Sequence, residues 1–145
     1  MRDSAPEKSV FAPHLGAFVA ALSLAGLAGC QTFEPPGGPL EAQVDADTAL
    51  VALQRINERA LECWVRSGDR RFAPYALVPE LDTAAGAPRI LVVARGEPQA
   101  LPELVITATG DPVRLTTFGP LAGRGLSGRI NRDILAWSAG RQGCG

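Results

Sequence analysis

Past residue 14 this chain contains neither histidine nor lysine: the one His is His14 and the one Lys is Lys8. From position 30 onward all 12 basic residues are arginine, set against 13 Asp and Glu. These absences exclude whole classes of chemistry. No Ser-His-Asp triad, Cys-His pair or Ser-Lys dyad can be assembled. A lysine Schiff base to a cofactor is ruled out, and so are the imidazole ligands on which most zinc sites draw. The composition therefore names no catalytic residue, no metal ligand and no cofactor. Charge is absent from one long stretch as well, since no residue from Leu15 to Cys30 carries a formal charge.

That uncharged run is long enough for the apolar core of an export signal and too short for a relaxed bilayer span of ~20 residues. It ends in Leu27-Ala28-Gly29-Cys30, where small residues leave the backbone before the cysteine open to a peptidase. The stretch resembles the lipobox of bacterial lipoproteins. The resemblance implies that Leu27, Ala28 and Gly29 are the recognition residues. It also implies that Cys30 takes a diacylglycerol thioether, becomes the first residue after cleavage, and is then acylated with palmitate-type chains on its amino group. Gln31, not being Asp, implies the outer membrane, with the protein facing the periplasm. The resemblance covers the signal region alone. With Cys30 so used, Cys63 and Cys144 remain, and an oxidising periplasm favours a disulfide between them. A reactive thiol beside Arg66 or Arg141 is the alternative.

The chain divides into a lipoprotein signal peptide (1–29), a lipidated cysteine with a Pro/Gly-rich tether (30–44), and a single α+β domain (45–145). Three prolines and two glycines argue against regular structure from Gln31 to about Val44, and that length of extended chain would span ~40 Å. From Asp45 to Arg66, Ala46, Ala49, Leu53, Ile56, Ala60 and Cys63 recur at helical spacing, with Asp45 or Asp47 placed to cap the start and Gly68 just past the end. Glu62 and Arg66 stand at the spacing of an i,i+4 ion pair.

Extended runs follow at Arg71–Leu81, Arg89–Arg95, Glu103–Thr109 and Val113–Phe118. Pro74 and Pro79 demote the first to an edge strand or loop, and Gly110-Asp111 should join the last two as an antiparallel hairpin. A short helix capped by Ser127 carries Ile130, Ile134 and Trp137 and stops at Gly140. The expected fold is α+β: a long N-terminal helix and a short C-terminal helix on a small, mostly antiparallel sheet of three to four strands, stapled by one disulfide.

Candidate chemistry is sparse. Gly123 to Gly128 matches G-x-G-x-x-G, but the strands before it read as antiparallel and only 17 residues follow, so the motif is expected to be a flexible surface loop. Glu80 with Asp82, or Glu97 with Glu103, are the carboxylate pairs available for glycoside hydrolysis. Charge is uneven: residues 30–62 have a net charge of −4 and residues 112–145 a net charge of +4. Arg124 and Arg129, in the glycine-rich stretch, and Arg132, at the start of the last helix, are therefore candidates for contact with an anionic surface. Expected partners are the membrane through the lipid anchor, with an envelope protein, peptidoglycan or anionic lipid. Nucleic acid is not expected, because the total charge is balanced. The leading expectation is a non-enzymatic envelope lipoprotein acting as a binding or scaffold module. An inhibitor of a lysozyme or protease, and a small carboxylate-dependent peptidoglycan hydrolase, are the alternatives.

Overall fold

A computed structural model describes residues 37–82, 84 and 86–145. Leu27, Ala28, Gly29 and Cys30, with the first part of the expected tether up to residue 36, lie outside the described residues. Alternation of apolar and polar side chains produces five strands: β1 (Glu41–Gln43), β2 (Tyr75–Glu80), β3 (Arg89–Ala94), β4 (Leu104–Thr109) and β5 (Arg114–Phe118). They form one sheet in the order β1-β5-β4-β3-β2, with every neighbouring pair antiparallel. Two helices, α1 (Ala49–Ala60) and α2 (Ser127–Ser138), complete the α+β fold. The sheet therefore has five strands rather than three or four. The C-terminal helix is not short, because α2 has 12 residues, as many as α1.

The extra strand corrects the tether. The prolines that argue against structure stop at Pro39, and beyond it Leu40, Ala42 and Val44 alternate with Glu41 and Gln43. The Leu40 N–H donates to the Thr117 hydroxyl at 2.8 Å, and the Val44 N–H to the Val113 carbonyl at 3.0 Å. β1 thereby closes the edge of β5, whose backbone groups would otherwise be unpaired. Order reaches back further still: the Gly38 N–H donates to Ser127 Oγ at 3.2 Å, and Asn131 Nδ2 donates to the Gly38 carbonyl at 3.0 Å. The folded part begins about seven residues earlier than position 45.

One face of the sheet carries the core. Ile90, Val92, Leu104, Ile106, Ala108 and Leu115 point toward Leu53, Ile56, Ala60, Ile130, Ile134 and Trp137 of the helices, all buried. Thr48, not Asp45 or Asp47, caps α1 by accepting from the Val51 N–H at 3.2 Å. The two aspartates lie too early, because the chain is still leaving β1 at Val44. α1 continues through a wider π-helical turn, Leu61–Arg66, that turns both Cys63 and Trp64 inward. Glu62 pairs with Arg59, one turn back, rather than with Arg66.

Ser127 opens α2 without capping it; its hydroxyl instead donates to the Arg124 carbonyl at 2.7 Å. The glycine-rich stretch is ordered into a 3-10 turn, Pro120–Gly123, and the first turn of α2. Gly119 makes that turn possible: its φ is +124°, and a Cβ there would lie 2.7 Å from the Glu103 carbonyl oxygen.

Cys63 and Cys144 form a disulfide with a Cα–Cα distance of 5.3 Å across 81 positions. The bond clamps the tail after α2 along α1. Arg59 donates to the Gln142 carbonyl at 2.9 Å, and Trp137 Nε1 to the Gly143 carbonyl at 2.9 Å. Among the described residues no helix is long and apolar enough to cross a membrane.

Cross-linking a loop of that length restricts the unfolded chain and typically stabilises by about 2–4 kcal/mol. Reduction, or Cys63→Ser, should therefore lower the thermal midpoint by on the order of 10–20 °C in a domain of this size. Calorimetry with and without reductant checks this, and coincident melts would show that the bond contributes nothing.

Candidate functional site: an arginine-lined cleft

Among the described residues many charged side chains sit in ion pairs scattered over the surface, but one group of them surrounds a concavity. A cleft of about 380 Å³ is lined by Arg71, Tyr75, Leu121, Arg124, Leu126 and Arg129. Two stretches distant in sequence meet there: the turn leading into β2 with the first residue of that strand, and the continuous run from the 3-10 turn after β5 into the start of α2. Each arginine is held by one carboxylate. Arg71 forms a two-pronged contact with Asp69, through Nε at 3.0 Å and Nη2 at 2.6 Å. Arg124 Nη1 lies 3.0 Å from Glu103 Oε2, close enough for an ion pair although the angle is not that of a hydrogen bond. Arg129 Nε donates to Asp133 Oδ2 at 2.6 Å.

The three pairs differ in burial, and burial decides what each can do. Asp133 is 1 % exposed and also accepts from Trp64 Nε1 at 2.8 Å, so this carboxylate is fully engaged inside the protein. Arg129 is only 12 % exposed and is fixed as a wall of the cleft. Arg71 and Arg124, at 57 % and 54 %, present their guanidinium groups to solvent. Their carboxylate partners are more covered, at 20 % for Asp69 and 27 % for Glu103, so a phosphate or carboxylate of a ligand would add to the solvent side of these guanidinium groups rather than displace the carboxylates. The Asp69 carboxyl is held at about 2, below its ordinary 3.8, first by the hydrogen bond from the Arg71 guanidinium and next by the Arg71 backbone N–H. The same partnership raises the pKa of Arg71.

The expected anionic-surface residues are thus separated. Arg124 and Arg129 line one cleft, but Arg129 is buried in an ion pair and lies within α2, not in a mobile loop. Arg132 is half-buried beside the end of the chain at Gly145 and does not line the cleft. Arg71 and Tyr75 were missed, and the Arg70-Arg71 doublet after Gly68 was the available signal. Glu80 and Asp82 border a separate recess of about 470 Å³ with Arg89 and Thr107. There the Glu80 carboxylate pairs with Arg89, and Asp82 accepts from the Ala84 N–H at 2.9 Å. Glu97 is exposed in the β3–β4 loop, whereas Glu103 faces Arg124. Among the described residues no cluster of three histidine, cysteine or carboxylate side chains gathers as metal ligands. No family model, curated protein or solved structure matches this chain, so its function has to be read from the chemistry of the residues themselves.

The low Asp69 value sets a pH dependence. Its ionised form is favoured more in the folded chain than in the unfolded one. That contribution is present above about pH 4 and is lost as pH falls through about 2. In urea melts between these limits, Asp69→Asn should lose less stability on acidification than wild type. In Arg71→Gln, the Asp69 carboxyl resonance should titrate above about 2, moving toward 3.8, while the backbone N–H at position 71 still holds it below that value.

Asp133→Ala leaves the Arg129 charge and the Trp64 N–H without their buried partner and should cost about 3 kcal/mol. Adding Arg129→Met should restore part of that loss, whereas an additive double variant would show that the pair is uncoupled.

Proposed function

We propose that this protein is a lipid-anchored envelope lipoprotein, facing the periplasm from the outer membrane, whose folded part acts as a non-enzymatic binding or scaffold module. One observation carries the reading. The disulfide takes Cys63 and Cys144, which leaves Cys30 as the odd cysteine of three, and Cys30 completes the lipobox-like Leu27-Ala28-Gly29-Cys30. A stapling disulfide supports an oxidising compartment, and the odd cysteine beside small residues supports acylation. The binding role is supported by the cleft, whose exposed Arg71 and Arg124 suit oxyanions such as phosphate and carboxylate, which offer two oxygens to a guanidinium fork.

Metabolic labelling with palmitate should mark the wild-type protein and be lost in Cys30→Ala, with the signal left uncut. Retention of label in the variant, or processing of it at the same bond, would overturn the anchor.

A further inference from the structure

The strand directions sort the surface into two ends of opposite character. β2 and β4 begin at one end and β3 and β5 finish there. The turn from α1 into β2 and the start of α2 lie at the same end. Gly37 and Gly38, where the described chain begins, are held there by Ser127 and Asn131.

Among the described residues the exposed large hydrophobic side chains are Leu101 and Phe118, at 91 % and 53 %, and both belong to this end. Leu101 lies two residues before Glu103. Phe118 pairs with Val105 across β4 and β5, next to Gly119, which packs on the Glu103 backbone. Glu103 in turn faces Arg124 of the cleft. Val78, Leu91, Val105 and Phe118 form one row across four strands on the helix-free face of the sheet. The next row, farther from this end, is polar: Glu80, Arg89, Thr107, Thr116 and Glu41. Arg95 adds a further exposed cation where β3 ends, its Nε donating to the Ala73 carbonyl at 2.7 Å. The opposite end gathers acids, with Asp45 and Asp111 lining one shallow recess there.

The anchor restricts what this end can face. Seven residue steps separate Cys30 from Gly37, and fully extended they cover at most ~25 Å. A chain of the expected 14-residue length would have let the domain stand clear of the lipid, but β1 and the Gly38 contacts shorten it.

We infer that this end of the domain docks on the anionic headgroup layer of the membrane that holds the anchor: Leu101 and Phe118 enter the interface, and Arg71, Arg95 and Arg124 contact lipid phosphates. The inference rests on the anchor reading above and names the partner of the same cleft. Apolar tips that bury at the boundary, ringed by guanidinium groups that pair with phosphate, are the combination that holds a peripheral surface to lipid. The acidic end points away from a surface of its own sign. With an acyl anchor in place the docking contacts are intramolecular, so individually weak contacts suffice to hold the orientation.

The test reconstitutes the acylated, processed protein through its own anchor into vesicles of phosphatidylglycerol and phosphatidylcholine with brominated acyl chains. Leu101→Trp and Phe118→Trp place reporters at the docking end, and Thr109→Trp places one at the opposite end. The buried Trp64 and Trp137 signal is subtracted with wild type. The first two reporters should shift to the blue and be quenched, while the third should remain as bright as without bromine. Quenching should fall between about 0.1 M and 1 M salt, as the Debye length contracts from ~10 Å to ~3 Å. It should fall likewise in Arg71→Gln/Arg124→Gln.

Several results would overturn docking. They are unquenched reporters on a protein carrying the acyl mass, equal quenching of all three, shielding that appears only with added peptidoglycan, and shielding that follows protein concentration rather than lipid. A protein recovered without the acyl mass instead removes the anchor, and the docking geometry with it, so the two failures are told apart by mass spectrometry.

Discussion

The buried carboxylate of Asp133 is the interaction on which the rest of the structure converges. A nearly inaccessible charge requires partners, and Asp133 takes one from each side: Trp64 Nε1 from the end of α1 and Arg129 Nε from its own helix. The Trp64 ring is thereby fixed in place, stacked on Phe72 at 5.0 Å and tilted against Trp137 at 5.1 Å. Phe72 belongs to the turn that carries Asp69 and Arg71. The carboxylate therefore sets where the helices cross, where that turn lies, and where Arg129 stands as a wall of the cleft.

The disulfide works on the same junction from the other side. Cys63 precedes Trp64 in the π-helical turn, and that wider turn is what allows both to face inward. The bond to Cys144 draws the tail along α1, where Trp137 and Arg59 each hold a tail carbonyl. A domain of this size has a modest core, and restricting its unfolded chain is a strong supplement to burial. Stability and the geometry of the cleft thus share one cluster, while Arg71 and Arg124 keep more than half of their side chains open to solvent.

Sheet and surface are linked in a similar way. Pairing of β1 with β5 closes an edge that would otherwise be open to other chains. The same pairing places the start of the described chain beside α2, the cleft and Phe118. Closure of the edge and the place where the chain enters the domain therefore follow from one short strand.

Local pattern alone determined the helix over α1, the strands β3 to β5 and the hairpin at Gly110, because their apolar patterns are strong and uninterrupted; β2, with Pro79 inside it, read as an edge strand or loop, and it lies at the sheet edge. Composition left residues 30–145 without histidine or lysine, and cysteine arithmetic set Cys30 apart from the pair that forms the disulfide. Strand β1 was partly readable in the alternation from Leu40 to Val44, but the preceding prolines obscured it. The cap at Thr48 depended on where β1 releases the chain, and the length of α2 on the 3-10 turn that precedes it. Only the tertiary structure decided which arginines share a cleft. Arg71 and Arg124 are 53 positions apart, and nothing in their local sequence brings them together. It also decided that Arg129, one helical turn before Asp133, is largely covered against a buried carboxylate rather than fully solvated. An i,i+4 pair looks the same in sequence on either face of a helix, and the core decides which face is turned inward.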